Sequence, residues 1–291
     1  MEPARTIEEI IQRVGDLPAI PEVVAEVLRM TDDPLVDMTD VTQVIERDPA
    51  MTAKILRVSN SPYYGMKQYV GTLKLALVIL GVREVRNIVL GVSVIDGLND
   101  GLKSNLVPKE FWSHSFLTAG VSKHLATTMR LGMQGEAFIC GLLHDMGRLI
   151  LLRQMMTPYA KLLQAAGGHG SPLCEAEMAQ LGFTHADAAA ALAERWNFPK
   201  TLADAIHFHH VREGQSLSSA KDPKLAAVVR IANLAAYHDF ASGDASAFEA
   251  GADSEAWTIL ESAPAPIGAK DRLRVFIEIL DELKDSPPPL F

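Results

Sequence analysis

The sequence predicts an all-α protein, built as a multi-helix bundle with an N-terminal helical lobe. Apolar residues recur at helical spacing along most of the chain, for example at Val24, Val27 and Leu28. Proline and glycine separate these runs. A β-hairpin would require two runs of alternating apolar and polar residues joined by a tight turn, and the sequence shows no such pair. The segment 87–95 could also be a buried strand. We predict a helix there, because no partner strand is visible nearby.

Capping residues mark the helix starts of the first lobe. Thr6 and Glu9 form a capping box, and Pro21 is well placed as the first residue of a helix. Asp48 followed by Pro49 is typical of an N-cap with a first-turn proline. The predicted helices of this lobe begin near Thr6, Pro21, Thr39, Asp48, Leu73 and Val82, the last two being separated at Gly81.

A polar stretch rich in glycine and asparagine, 97–108, is the best candidate boundary after this lobe. We therefore predict an N-terminal lobe over 1–100, a helical bundle over 101–241 and a C-terminal helical extension with a tail over 242–291. The helices predicted beyond the boundary span 109–131, 135–155, 158–166, 173–181, 185–196, 199–209, 224–241, 254–261 and 270–284.

The composition excludes several classes of protein. The formal net charge is -9 and no long basic cluster is present, which argues against nucleic acid as a partner. No apolar run approaches membrane-spanning length and the N-terminus is not typical of a secretory signal, so we expect no membrane contact and a cytoplasmic location. The only cysteines, Cys140 and Cys174, exclude a disulfide framework and a cysteine-based zinc site.

Two strong ligand types, His144 and Asp145, lie side by side in the apolar run 138–148. Buried polar groups need partners, and an imidazole with a carboxylate suits a divalent cation. The alternative is a core histidine held by a backbone carbonyl, with the aspartate facing solvent. Two adjacent pairs, His144–Asp145 and His209–His210, are hard to explain by packing alone. They favour a metal site assembled from facing helices. The candidate ligands are His114, His144, Asp145, His185, His209 and His210.

Aromatic residues outside this set have simpler interpretations. Tyr63, Tyr64 and Tyr69 form either a partner-binding surface or a loop packed onto the core. We expect Trp112 and Trp196 to lie in the core.

Two groups of motifs resemble known families. The run 138–148, with His114 upstream, resembles the HD superfamily of metal-dependent phosphohydrolases. More specific motifs resemble the HDOD domain, the HD-related output domain of bacterial signalling proteins, over roughly residues 7–215. They are Leu17-Pro18-x-Ile20-Pro21, Val44-Ile45-x-x-Asp48-Pro49-x-Met51-Thr52-x-x-Ile55-Leu56-x-x-x-Asn60-Ser61, Ala76-x-x-x-Leu80-Gly81, Trp112-Ser113-His114-Ser115, and Gly182-Phe183-x-His185 through Trp196-x-x-Pro199.

The HDOD resemblance implies an HD-like bundle and a bacterial signal-transduction output module that acts through contacts with other signalling proteins. Its HD-type metal site would be structural or sensory and would hold one or two divalent transition-metal ions, namely Fe, Mn, Zn or Ni. The alternative is a metal-dependent phosphohydrolase or cyclic di-nucleotide phosphodiesterase, with a small phosphorylated ligand as substrate. In that case Arg148 would stabilise charge on the phosphate.

The six candidate ligands also match the ligand pattern of the HD-GYP class of cyclic di-GMP phosphodiesterases, with three departures. Arg148 stands where those enzymes carry a lysine, Asn233 stands where the last aspartate ligand is expected, and no Gly-Tyr-Pro motif follows His210. A neutral amide is a poor replacement for a carboxylate in balancing the charge of a second cation. Asn233 is therefore the weakest member of the implied ligand set.

Overall fold

The computed structural model describes residues 21–31, 33, 35–66, 68–99, 109–167, 170–237, 253–283, 286 and 289. Regular secondary structure in these residues is helical, with no strand, which confirms the all-α prediction. The segment 87–95 is helical, as predicted, and not a strand. The helix predicted near Thr6 and most of the predicted domain boundaries lie outside the described residues. The division into three parts therefore stays a prediction.

The described residues of the first lobe form five helices, three of which begin at a side-chain N-cap. Asp48 accepts a hydrogen bond from the Met51 backbone N–H at 3.0 Å, as its position before Pro49 predicts. Gly81, with φ of +87°, separates two consecutive helices. The helices are α1 (Glu22–Met30), α2 (Met38–Glu46), α3 (Pro49–Ser59), α4 (Leu73–Leu80) and α5 (Val82–Asn99), with a 3-10 turn at Pro62–Tyr64.

The bundle surrounds helix α6, which packs against α7 and α13. Thr184 and Asp187 form a capping box at the start of α11. The helices are α6 (Lys109–Thr128), α7 (Gln134–Leu143), α8 (Met146–Met155), α9 (Thr157–Ala165), α10 (Gly170–Leu181), α11 (His185–Arg195), α12 (Lys200–His207) and α13 (Pro223–Tyr237), with a 3-10 turn at Leu217–Ser219.

The C-terminal helices α14 (Ser254–Leu260) and α15 (Ala269–Leu283) complete the fold. The Tyr63 hydroxyl donates to the Ser286 carbonyl at 2.6 Å, which joins the end of the chain to the 3-10 turn of the first lobe. Tyr63 and Tyr64 are buried, whereas Tyr69 is exposed. Buried apolar side chains from Val24 to Leu283 form one continuous core. None of the described helices is long and apolar enough to cross a membrane.

Candidate metal centre

The helix predicted over 135–155 is in fact two helices, α7 and α8, which meet at His144 and Asp145. Asp145 has φ of -91° and ψ of 5°, which turns the chain out of regular helix. Both residues are buried. The sequence does not reveal this break, because the apolar pattern continues through it without a proline.

Two glycines allow this turn to approach the neighbouring helices closely. A Cβ on Gly141 would lie 2.8 Å from the Cα of Ala119 in α6, and a Cβ on Gly147 would overlap the carbonyl oxygen of His185 in α11. Neither backbone atom can move aside easily. Gly141 and Gly147 therefore set the distances from His144 and Asp145 to α6 and α11.

One oxygen of Asp145 faces two histidines, and a third lies beside them. Oδ1 lies 3.1 Å from Nε2 of His185 and 3.6 Å from Nε2 of His209. Nε2 of His185 in turn lies 3.2 Å from Nε2 of His209 and 3.1 Å from Nε2 of His210. His209 was predicted to end α12, but it lies with His210 in a bend after that helix. These four residues form a compact donor set that could hold a metal ion.

The other oxygen of Asp145 belongs to a second group of donors. Oδ2 lies 3.5 Å from Nε2 of His144, which lies 3.2 Å from Nε2 of His114. Nε2 of His114 also lies 3.0 Å from Oδ1 of Asn233. The structure thus brings all the predicted ligands and Asn233 together, and Asp145 is common to both groups.

Hydrogen bonds on the far side of the rings determine which nitrogen faces the cluster. Nδ1 of His144 donates to the Gly141 carbonyl at 2.7 Å, and Nδ1 of His209 donates to the Ile206 carbonyl at 2.5 Å. Nδ1 of His185 lies 2.8 Å from Oε2 of Glu177. In the neutral rings the lone pairs of Nε2 therefore point at one another, which fits a bound cation.

The pKa values show where positive charge is favoured. Burial lowers the pKa of His144 to about 4 and that of His114 to about 3. Burial would raise the pKa of Asp145, but His144 and Arg148 hold it well below its usual range. Burial also opposes charge on His185, yet Glu177 and Asp145 raise its pKa to about 9. A positive charge is therefore stable between the two carboxylates, either as a proton on His185 or as a cation that displaces it.

Arg148 is bound to the cluster itself. Its Nη1 donates to Oδ2 of Asp145 at 2.7 Å and lies 3.4 Å from the hydroxyl of Tyr237. Its guanidinium carbon lies 5.5 Å from the centre of the Phe111 ring, and its side chain is 13% exposed. Arg148 therefore stabilises the negative charge of a candidate ligand.

Several supporting residues were not predicted from the sequence. Glu177 binds both Nδ1 and the backbone N–H of His185 and accepts a hydrogen bond from Tyr159 at 2.5 Å. The ring of Tyr237 stacks on that of His114 at 3.9 Å between centroids. Glu177 precedes His185 by eight residues on another helix, and no local pattern marks it.

A buried arginine holds the loop that carries His209 and His210. Nε of Arg230 donates to the Phe208 carbonyl at 2.7 Å, and its Nη1 donates to Oδ2 of Asp253 at 2.7 Å. The amide of Asn233 donates to the His209 carbonyl at 3.5 Å. Helix α13 thereby fixes the backbone of two candidate ligands.

Comparison with known proteins places these observations in a family. The family model of the HDOD domain matches residues 17–212. This chain belongs to the HDOD domain family. The match includes every candidate ligand that the sequence predicts, but not Asn233.

The HDOD fold is shared with solved structures. A Shewanella amazonensis SB2B protein proposed to be a phosphohydrolase is 26% identical, with a TM-score of 0.66 over 94% of this chain and 97% of that protein. An HDOD domain protein of unknown function from Geobacter sulfurreducens is 20% identical, with a TM-score of 0.65 over 95% and 96% of the two chains.

A curated relative in sequence, an uncharacterized protein of Treponema pallidum (strain Nichols), is 28% identical over 207 residues. The match covers 69% of this chain but only 39% of the length of that relative. This chain therefore spans about two fifths of the length of that relative.

Proposed function

We propose that this HDOD domain is a bacterial signal-transduction output module that acts through contacts with other proteins in the cytoplasm. In this role the histidine cluster binds a divalent transition metal as a structural or sensory element. Fe, Mn, Zn and Ni all suit imidazole and carboxylate ligands. The ion would be held by Asp145, His185, His209 and His210.

The observation that carries this proposal is the enclosure of Asp145. Arg148 donates to its Oδ2, and the five donor residues other than His114 are at most 5% exposed. A catalytic metal keeps an open position for water and substrate. A carboxylate enclosed by an arginine and buried histidines instead suits an ion that stabilises one conformation.

Asn233 supports a single ion. Its Oδ1 lies beside His114, where a neutral amide oxygen adds no negative charge to the second donor group. Two divalent ions would then share one carboxylate, Asp145, whose charge Arg148 already compensates in part. The charge balance therefore favours one ion, bound on the side of Oδ1 of Asp145.

Thermal unfolding with and without metal tests this binding. We expect added Mn²⁺, Fe²⁺, Zn²⁺ or Ni²⁺ to raise the melting temperature of the chelator-treated protein, because a ligand that binds the native state stabilises it. Asp145→Ala should abolish the shift. His124→Ala is the matched control, because His124 lies on α6 and bonds to the Gly120 carbonyl, away from the cluster. The binding proposal fails if none of the four metals changes the melting temperature.

An enzymatic role is the second candidate, in which the chain is a metal-dependent phosphohydrolase or cyclic di-nucleotide phosphodiesterase. Two donor groups that share one carboxylate favour it, as does the likeness to a Shewanella protein proposed to be a phosphohydrolase. Bound metal would supply hydroxide, and Arg148 would orient Asp145.

Turnover assays separate the two candidates. Protein loaded with manganese or iron is incubated with cyclic dinucleotides and with simple phosphoesters. We expect no hydrolysis above that of the Asp145→Ala variant. Hydrolysis by the wild-type protein that this variant lacks would replace the output-module proposal with the enzymatic one.

A further inference from the structure

A cavity lies between the first lobe and the bundle, away from the histidine cluster. It has a volume of about 480 Å³, within the range of small-molecule sites. Its walls come from α1, α5, α7, the loop after α11 and the start of α12. None of the candidate metal ligands lines it. We propose that this cavity binds a nucleotide, with its phosphate against arginines and its base against Trp196.

The charge of the lining favours an anion. Among the described residues, Arg29, Arg83 and Arg86 line the cavity together with one carboxylate, Glu136. The whole chain has a net charge of -9, which makes this local excess of arginine unusual. Arg83 forms an ion pair with Glu136 at the wall. Guanidinium groups match phosphate oxygens in charge and in planar hydrogen-bond geometry.

The lining also offers a surface for a planar ring. Trp196 was expected in the core, but it is only half-buried and lines the cavity. Its ring lies 6.2 Å from that of Phe198 at a tilt of 34°. Trp112, in contrast, is buried as expected. An indole beside the cavity provides a face on which a base can stack.

Backbone hydrogen bonds close the turn that carries Trp196. Asn197 has φ of +55°, a conformation that asparagine tolerates better than most residues. The backbone N–H groups of Asn197 and Phe198 donate to the carbonyls of Glu194 and Ala193, each at 2.9 Å. The side-chain amides of Asn87 and Asn197 add donors and acceptors to the same wall. A base could therefore be recognised by hydrogen bonds at its edge as well as by stacking.

The position of the cavity gives binding a structural consequence. Arg29 and Arg86 belong to the first lobe, whereas Trp196 belongs to the bundle. A nucleotide held by both would join the two. Helix α7 runs from Glu136 at the cavity to His144 at the histidine cluster, so the two sites share one rigid element.

Isothermal titration calorimetry of the full chain with adenosine and guanosine monophosphate tests the nucleotide site. We expect saturable binding of at least one of them, whereas adenosine, guanosine and inorganic phosphate alone bind roughly tenfold or more weakly, because each makes only part of the contacts. The Arg29→Gln/Arg86→Gln variant should lose roughly tenfold or more in affinity. Trp196→Leu should also weaken binding and remove any quenching of tryptophan fluorescence by the nucleotide.

A control variant separates this site from a general loss of positive charge. Arg274→Gln removes an exposed arginine on α15, outside the cavity, and should leave binding unchanged. Circular dichroism and thermal unfolding confirm that each variant is folded. Absence of binding by either monophosphate up to millimolar concentration overturns the nucleotide site, as does an unchanged affinity in the arginine double variant. Equal affinity for inorganic phosphate would also overturn it, since the base would then contribute nothing.

Discussion

Nη1 of Arg148 lies 2.7 Å from Oδ2 of Asp145, so the arginine next to the histidine cluster is paired with the carboxylate at its centre. The two residues are three positions apart across the start of α8. Oδ1 of the same carboxylate faces His185 at 3.1 Å. Asp145 is thus held by a fixed positive charge on one side and by imidazole rings on the other.

Loss of the arginine should destabilise the metal-free protein. Arg148→Met leaves a buried carboxylate without its guanidinium partner, and breaking such a pair costs about 3–5 kcal/mol. Urea unfolding in the presence of a chelator measures this loss. Arg148→Lys should lose less, because the positive charge remains. Equal stability of the methionine variant and the wild-type protein would mean that the pair is unimportant.

The cost of Arg148→Met should shrink when metal is bound. A cation on the cluster compensates the charge of Asp145, so the variant regains part of its stability. The comparison is the free energy of unfolding of wild-type and variant, each with and without saturating manganese. If the variant loses the same free energy of unfolding with and without manganese, the result contradicts the idea that Asp145 binds both Arg148 and the metal.

Gly147→Ala should disrupt the contact between α8 and α11. Its methyl group would overlap the carbonyl oxygen of His185, and overpacking of this kind costs about 1–3 kcal/mol. The displacement should also weaken metal binding, since it separates Asp145 from His185. Gly268→Ala is the control, because the nearest atom to a Cβ there is 3.8 Å away. Thermal unfolding and metal titration of both variants measure the two effects.

Glu177→Gln should weaken metal binding without unfolding the protein. Glutamine keeps an acceptor for the His185 ring but removes the charge that makes the imidazole a stronger ligand, and such partners are worth about 10–100-fold in affinity. Glu175→Gln, at an exposed position on the same helix, is the matched control. Metal affinities of the two variants that agree within error would rule out this role for Glu177.

Arg230→Met should loosen the loop that carries His209 and His210. Its bond to the Phe208 carbonyl is buried and its bond to Asp253 is partly buried. Their loss leaves the Asp253 carboxylate without its ion-pair partner, at a cost of about 3–5 kcal/mol. Hydrogen exchange should increase in the backbone around Phe208, where α12 ends. Arg274→Gln, an exposed arginine on α15, should show no such change.

The sequence identified the residues of the histidine cluster better than it identified the contacts that hold them in place. His144–Asp145 and His209–His210 were recognisable because adjacent ligand types in apolar runs are unusual, and the helices were visible from their apolar spacing. The pairing of Arg148 with Asp145 depends on a helix break that no local pattern marks.

The contacts that were missed are between residues on different helices. Glu177 reaches His185 from another helix, and Gly147 is needed only because α11 lies against it. Trp196 was misplaced for a related reason: its apolar character predicts burial, but its exposure depends on how the first lobe meets the bundle. Such features follow from tertiary packing, which local periodicity does not encode.

The number of metal ions bound per chain tests the central claim most directly. Inductively coupled plasma mass spectrometry of the protein as purified, repeated after equilibration with manganese and dialysis, gives this number. We predict close to one ion per chain in the wild-type protein and essentially none in the His185→Ala and Asp145→Ala variants, with His124→Ala unchanged. A wild-type protein that retains no metal under either condition, or variants that retain as much as the wild type, would contradict a metal centre at Asp145.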